Sequence, residues 1–184
     1  MRIVVAVTGA SGTVIAKRLL ENLKGHVVHL IVSGGAKEVA RHEKVSVPAM
    51  ERLARKIHGE HDMHSPLASS SNLVDAMVIV PCSMKTLSAV ANGYADNLIT
   101  RAAENVLKMG GKLIVTPRDS PLTLAAIENM RSLKLAGAII LPPNIAYYSE
   151  PATIDDVTDF LTGKILDALR IDHKLYKRWN TKEL

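Results

Sequence analysis

The chain has 184 residues, of which 47% are hydrophobic and only 3% aromatic. That composition excludes an intrinsically disordered protein and favours an aliphatic core, which is typical of buried parallel strands. The net charge of +5 suits a phosphate-bearing ligand, whereas a base-stacking nucleic-acid surface is not expected with so few aromatic rings. The one cysteine, Cys82, excludes an internal disulfide and fits a reducing compartment.

Nothing in the sequence indicates a secreted or membrane-spanning protein. The opening stretch RIVVAVTGASG has a short apolar run followed by glycine, unlike a secretory signal. No apolar run reaches the roughly 18 residues that a membrane-spanning helix needs. We therefore expect a soluble, cytoplasmic protein without a membrane or nucleic-acid partner, folded as a single domain over residues 1–184.

Strand and helix patterns alternate along the chain. Continuous apolar runs predict five strands, at 2–7, 26–33, 76–82, 112–117 and 137–143. Helical patterns lie at 12–24, 35–43, 84–92, 96–108, 121–134 and 153–169, while 45–59 is interpreted as a helix from near Pro48 and 59–72 as a loop. The alternation predicts an α/β fold: a three-layer, Rossmann-like (flavodoxin-like) parallel sheet with helices on both faces.

The segments that follow the five strands carry most of the polar chemistry. In chain order they read TGASGT, SGGAKE, PCSMKT, TPRDSPL and PPNIAYY. Ligands of open parallel sheets bind outside the carboxyl ends of the strands, near the point where the strand order reverses. We therefore interpret the five segments as parts of one site.

The first two segments favour a mononucleotide. Gly9 and Gly12 allow the backbone to approach a ligand, Ser11 adds a hydroxyl, and the following helix start offers N–H groups. The pattern is not G-x-G-x-x-G, and Ser33 stands where a dinucleotide site would place an acid. A tight strand-to-helix turn without any ligand remains an alternative.

The third segment combines hydroxyls with an amine. Ser83 and Thr86 can donate to anionic oxygens or cap the next helix. Lys85 is either a phosphate contact or a solvated side chain. Because Cys82 ends an apolar strand, a buried packing thiol is favoured over a nucleophile.

The later segments add a cation, an acid and rings. Arg118 can clamp phosphate or stack on a planar ring, although its pairing with Asp119 is equally consistent with a structural role. Tyr147 and Tyr148 follow the last strand, where one of them could flank a flat ligand or simply pack at a loop corner.

Two further groups of polar side chains lie outside these segments. Arg101 and Lys108 share a face of one predicted helix, which is a solvated basic face by default. His58, His61 and His64 lie in a loop-like stretch without cysteine, so no metal site is expected there.

Taken together, the motifs resemble one enzyme family. TGASG, PCSMKTLSAVANGYADNLITRAAENVLK, PRDSPL, AGAIILPP and TIDDVTDFLTGKILD are similar to the UbiX-type flavin prenyltransferases over nearly the whole chain. PCSMKTL together with ADNLITRAA carries most of the specificity, whereas GASG alone is common.

The resemblance implies a reaction and an assembly. Members of the family form dodecamers, bind FMN and dimethylallyl monophosphate, and join the dimethylallyl group to N5 and then C6 of reduced FMN without a metal. The product, prenylated FMN, serves a partner decarboxylase of the UbiD type.

The resemblance also assigns residues. FMN contacts are implied for Gly9, Ala10, Ser11, Ser33, Ser83, Met84, Lys85, Thr86 and Arg118. Donor-phosphate contacts are implied for Tyr148 and Lys164, with Arg101 and Lys108 nearby and Trp179 as a lid from this or a neighbouring subunit. Catalytic roles are implied for Ser11, Glu43, Arg101, Lys108 and Asp119. Asp119 stands where the family usually has Glu, and Lys164 where some relatives have Arg.

Two other functions remain open at this point. A flavin-dependent cysteine decarboxylase of related fold would need a reactive histidine near the first helix, and TVIAKRLLENLKG contains none. An FMN carrier or electron-transfer module would favour an acidic surface and aromatic rings around the flavin, whereas this chain is basic and poor in aromatic residues. The sequence does not distinguish a monophosphate from a diphosphate donor.

Overall fold

The computed structural model describes residues 1–179 and contains one six-stranded parallel sheet. The strands are β1 (Arg2–Val7), β2 (Val27–Val32), β3 (Lys56–His58), β4 (Ala76–Cys82), β5 (Lys112–Pro117) and β6 (Ile139–Ile140). Their order, β3-β2-β1-β4-β5-β6, is the Rossmann order, and without the edge strand β3 it is that of flavodoxin. The order reverses between β1 and β4, so the ligand crevice is expected at the carboxyl ends of these two strands.

Seven α-helices in residues 1–179 connect the strands. They are α1 (Thr13–Asn22), α2 (Gly34–His42), α3 (Val47–Glu51), α4 (Met84–Ala91), α5 (Leu98–Lys108), α6 (Leu124–Leu135) and α7 (Ile154–Leu169). Side-chain oxygens cap most of their starts, including Ser33 on α2, Ser83 on α4 and Thr153 on α7. Within this part of the chain, no helix is both long and apolar enough to cross a membrane.

Two cores lie on opposite faces of the sheet, because successive strand residues point to opposite sides. On β1, Ile3 and Val5 face the core formed with α1, α2, α3 and α7. Val4 and Ala6 face the core formed with α4, α5 and α6. All of these side chains are fully buried, as are all seven residues of β4. The predicted three-layer architecture is confirmed.

The main departures from the predicted elements occur at the sheet edges. The segment 45–59 forms the short α3 and then β3, which pairs with only three residues of β2 and is too short to leave a periodic signal. Strand β6 comprises two residues instead of the seven expected, since Gly137 and Ala138 donate back to α6 and Pro142 and Pro143 lack the N–H groups that would extend the ladder.

Candidate active site

The crevice between β1 and β4 is held together by the buried hydroxyl of Thr8. Its Oγ1 donates to the Pro81 carbonyl at 2.8 Å and accepts from the Ser83 N–H at 2.8 Å. On the other side, the Arg118 N–H donates to the Cys82 carbonyl at 3.1 Å. The ends of β1, β4 and β5 are therefore fixed to one another. Sequence reasoning did not single out Thr8, although a hydroxyl directly after a buried strand was the available signal.

Two glycines bring the second loop against the first. A Cβ atom on Gly9 would lie 3.3 Å from the backbone of Gly35, so any other residue here would need the two loops to move apart by a few tenths of an ångström. Gly12 has φ of 107°, a conformation that non-glycine residues rarely adopt. Ser33 accepts the Ala36 N–H at 3.1 Å as the cap of α2, which leaves its own hydroxyl proton available to a ligand.

Glu43 organises the start of α1. Its Oε1 accepts from the Ser11 hydroxyl and the Gly12 N–H, both at 2.7 Å. Its Oε2 accepts from the Thr13 N–H at 2.8 Å and the Thr13 hydroxyl at 2.6 Å. Burial alone would raise the pKa of Glu43, but these hydrogen bonds from Thr13, Ser11 and Gly12 hold it below its ordinary value. The carboxylate therefore occupies N–H groups of Gly12 and Thr13 that the sequence suggested for a ligand.

The start of α4 is better suited to an anion. Ser83 Oγ accepts the Thr86 N–H at 3.4 Å and lies 3.1 Å from Thr86 Oγ1. The backbone N–H groups of Met84 and Lys85 make no hydrogen bond within residues 1–179, and the helix dipole favours negative charge at this position. The Lys85 side chain is exposed, and its ammonium lies 3.5 Å from the carboxylate of Asp96.

The structure thus brings all residues expected to bind FMN to one edge of the sheet. We call this set the nucleotide cluster: Gly9, Ala10, Ser11, Ser33, Ser83, Met84, Lys85, Thr86 and Arg118. Asp119 follows it, with Oδ1 accepting the Ser120 N–H at 3.0 Å. Close-packed glycines, unpaired N–H groups at a helix start and several hydroxyls fit a phosphorylated, hydroxylated ligand such as FMN.

A second group of expected site residues lies against α7 and the segment after it. The Tyr148 ring meets the Phe160 ring at 6.0 Å and the Trp179 ring at 5.3 Å, both edge-on. The Lys164 ammonium lies 5.9 Å from the centre of the Tyr176 ring. A cavity of about 350 Å³ opens beside Tyr148 and Trp179. We call residues 171–179 the tail; sequence reasoning missed Tyr176 because a short irregular segment leaves no periodic signal.

Lys108 is not brought to the nucleotide cluster of its own chain. It ends α5, four residues before β5 begins, whereas Arg118 follows the other end of β5. Six strand residues separate these ends by about 20 Å. Arg101, near the start of α5, donates to the Ala68 carbonyl at 3.1 Å and to the Glu104 carboxylate at 2.8 Å. One chain therefore does not assemble all the expected cations around one point.

Comparison with known proteins places this geometry in a family. Residues 1–166 match the Flavoprotein family. A flavin prenyltransferase UbiX of Methanocaldococcus jannaschii is 48% identical over 183 residues, which cover 98% of this chain and 100% of that protein. The chain belongs to the UbiX-type flavin prenyltransferases. The resemblance found in the sequence is confirmed.

Solved structures agree with the UbiX-type assignment. A dodecameric FMN-dependent UbiX-like decarboxylase from Escherichia coli O157:H7 superposes with a TM-score of 0.95 at 36% identity, over 98% of this chain and 100% of that one. AnUbiX, in complex with FMN and dimethylallyl pyrophosphate, gives 0.95 at 37% identity over 97% of both chains. The peptidyl-cysteine decarboxylase EpiD, at 17% identity and a TM-score of 0.62, shares the fold alone.

Cys82 of this UbiX-type chain is a packing residue. It lies fully buried in the core shared with α4 and α5. Burial raises the pKa of its thiol well above the ordinary value, so the reactive thiolate is disfavoured at neutral pH. The expectation of a buried thiol is confirmed.

The three histidines of 58–64 do not converge. His58 is buried, with Nε2 2.9 Å from His29 Nδ1 and Nδ1 2.7 Å from the Ser65 hydroxyl. His61 and His64 are exposed. Within residues 1–179, no three His, Cys, Asp or Glu side chains form a group able to hold a metal ion.

The histidine pair predicts a loss of stability in mild acid. Burial lowers the pKa of His29, and the nearby charges of Lys56 and Arg2 lower it further. Burial also lowers the pKa of His58, together with His29 and Lys56, although Asp62 acts in the opposite direction. The unfolded chain therefore binds protons first, and stability should fall as the pH decreases from about 6.5 through the folded-state pKa values. Thermal unfolding at pH 7.5 and 5.5 should show a smaller decrease in midpoint for His29→Gln than for the wild type.

His61→Gln is the matched control, because His61 is exposed and outside the pair. It should show the same pH dependence as the wild type. An equal decrease in all three proteins would contradict a role for the His29–His58 pair.

Proposed function

We propose that this chain transfers a dimethylallyl group from dimethylallyl monophosphate to N5 and C6 of reduced FMN, making prenylated FMN for a UbiD-type decarboxylase. The observation that carries the proposal is the nucleotide cluster, built on the strand ends of a UbiX-type chain. The proposal includes a single flavoprotein domain and a homododecamer. The lone, buried Cys82 is compatible with a reducing, cytoplasmic location.

The nucleotide cluster would hold FMN as follows. The N–H groups of Met84 and Lys85 and the dipole of α4 favour the phosphate, with Ser83 and Thr86 as hydroxyl partners. Gly9 admits the ligand close to the backbone, and Arg118 adds a cation or a stacking plane. When bound, reduced FMN supplies the nucleophilic N5 and C6 atoms.

Donor activation requires charge stabilisation at the leaving oxygen. Cleaving the allylic C–O bond places negative charge on the phosphate, which Lys164, Arg101 and Lys108 would stabilise by fixed cationic groups. The Tyr148 and Trp179 rings would shield the electron-poor allyl fragment from water. Since Lys108 lies at the far end of β5 from Arg118, its contribution would come from another copy of the chain.

Proton transfer would involve Ser11 and Glu43. The Ser11 hydroxyl donates to Glu43, so its lone pairs are available to accept from a ligand N–H. The hydrogen bonds that lower the pKa of Glu43 keep it ionised at neutral pH, and the carboxylate could receive a proton passed through Ser11. The proton displaced from N5 would pass through Ser11 to Glu43, and the proton displaced from C6 would balance the one taken up by the allyl double bond, so that the flavin would gain C5H8 and phosphate would leave.

The test is anaerobic incubation of the purified protein with reduced FMN and dimethylallyl monophosphate, followed by mass spectrometry of the flavin. We expect a flavin heavier by one C5H8 unit, able to activate a UbiD-type apo-decarboxylase. A parallel reaction with the diphosphate identifies the preferred donor. Release of carbon dioxide from a cysteinyl peptide, or reversible two-step flavin reduction with no prenyl product, would instead support the decarboxylase or the carrier.

A further inference from the structure

One carboxylate on α7 binds most of the tail. Asp167 Oδ1 lies 3.0 Å from His173 Nε2 and accepts from the Arg178 guanidinium at 2.7 Å. Its Oδ2 accepts from the Tyr176 hydroxyl at 2.5 Å. The same Oδ2 lies 3.7 Å from the Lys164 ammonium, one helical turn away. Asp167 therefore joins three tail residues to a cation expected at the donor phosphate.

Gly163 makes room for the tail on the helix surface. A Cβ atom at this position would lie 2.5 Å from Tyr176 Cδ1 and 2.6 Å from His173 Cε1. The Tyr176 ring also packs on Phe160, with 4.9 Å between ring centres. The tail thus docks on α7 through both a polar and an apolar contact.

The charge balance favours this docked arrangement at neutral pH. Burial would raise the pKa of Asp167, but the hydrogen bonds of Arg178, Tyr176 and His173 lower it to about 2. Burial and the bond to Asp167 raise the pKa of the Tyr176 phenol, so its proton stays in place to be donated. Lys164 lies 3.7 Å from Asp167 Oδ2, an ion-pair distance that keeps the ammonium beside the carboxylate without a close hydrogen bond, so its N–H groups can still bind a phosphate.

We propose that Asp167 is a positioning residue for the prenyl donor, which holds Lys164 and the tail together so that Lys164, Tyr148 and Trp179 face the donor as one unit. The inference rests on the proposed function, because that function assigns Lys164 and Tyr148 to the donor. Asp167 itself acts through its neighbours and is not in contact with the reacting atoms.

The substitution Asp167→Asn tests the proposal, with Trp179 as a reporter because it is the single tryptophan of the chain. A neutral amide does not replace a carboxylate that accepts from three donors, so the tail should loosen. Steady-state anisotropy of tryptophan fluorescence, measured without ligands, should decrease. The KM for dimethylallyl monophosphate should rise by about 10-fold or more, while the Kd for FMN, which binds at the nucleotide cluster, should stay within about 2-fold.

Two further variants keep the test decisive if Asp167→Asn folds poorly. Gly163→Ala should displace the tail by steric contact, and Tyr176→Phe removes one donor while keeping the ring. Both should lower the anisotropy and raise the donor KM. The matched control is Asp159→Asn, a carboxylate on α7 that binds Arg18 instead of the tail; it should lower stability without changing either quantity.

Two results would overturn the role of Asp167. The first is an Asp167→Asn protein whose tryptophan anisotropy and donor KM equal those of the wild type. The second is an Asp159→Asn protein in which both quantities change as much as in Asp167→Asn, which would indicate a merely structural effect. Failure of the proposed function is distinguishable, since the unsubstituted protein would then make no prenylated flavin. That outcome would overturn the donor role as well, while the anisotropy comparison would still report whether Asp167 holds the tail.

Discussion

Co-assembly of Lys108→Ala and Arg118→Ala subunits is expected to restore prenyl transfer that neither variant supports alone. Each variant alone should lose activity by about 100-fold or more, because Lys108→Ala removes a cation that would stabilise charge in the transition state and Arg118→Ala removes a group that would orient FMN. Lys108 lies at the opposite end of β5 from Arg118, so one chain does not place both at a single site. In an equimolar mixture, a shared site is intact only when one subunit supplies Arg118 and its neighbour supplies Lys108, which occurs at about a quarter of the sites.

The measurement is the initial rate of prenylated-flavin formation by co-expressed subunits, purified by two different affinity tags. Mixed assemblies should recover roughly that fraction of the wild-type rate. The control is a co-expressed pair of Lys108→Ala chains that carry the two different tags, which should recover no prenyl-transfer activity. Mixed assemblies that stay inactive would contradict a site shared between copies.

Replacing Glu43 by Gln is expected to weaken both the fold and FMN binding. The amide group keeps the size of the side chain but turns one acceptor into a donor, which then faces an N–H or hydroxyl of the α1 start. Hydrogen bonds to a charged group contribute about 1.5–3 kcal/mol, and since Glu43 is only partly buried we expect a loss of about 1–2 kcal/mol of unfolding free energy. Misplacement of Ser11 should raise the Kd for FMN by about 10-fold.

Urea unfolding and flavin titration, both at pH 7.5, check these two effects. Glu38→Gln is the control, because Glu38 lies on α2 with its carboxylate exposed and paired with Arg41 on the same helix. It should leave both quantities close to wild type. A Glu43→Gln protein with unchanged stability and FMN affinity would show that the four hydrogen bonds do not organise the site.

The nucleotide cluster could be predicted from the sequence because a general rule places ligands at the carboxyl ends of parallel strands. Parallel strands put their carboxyl ends at one edge, so Ser33, Ser83 and Arg118 could be grouped although they are far apart in the chain. The three-layer architecture could be predicted from the apolar runs of the strands, because these runs are visible in the sequence without knowledge of tertiary contacts. Strand β3 could not be predicted, because three residues at an edge carry too little pattern.

The remaining features depend on contacts that no local pattern reports. That Glu43 caps α1 from 30 residues away follows from tertiary packing. The same holds for Asp167, whose partners lie in an irregular tail. The position of Lys108 could have been inferred, since a helix that leads into β5 must end at the opposite edge from Arg118. The family resemblance grouped these residues without saying which copy supplies them.

Flavin prenylation by this chain would break the allylic C–O bond of the donor and attach the C5 fragment to the flavin. A single-turnover reaction with enzyme-bound reduced FMN and dimethylallyl monophosphate, in the absence of oxygen, allows inorganic phosphate and flavin mass to be measured in one sample. We predict one phosphate released for each flavin that gains C5H8. Intact donor beside flavin of unchanged mass, from protein shown to bind both compounds, would show that the chain is not a flavin prenyltransferase.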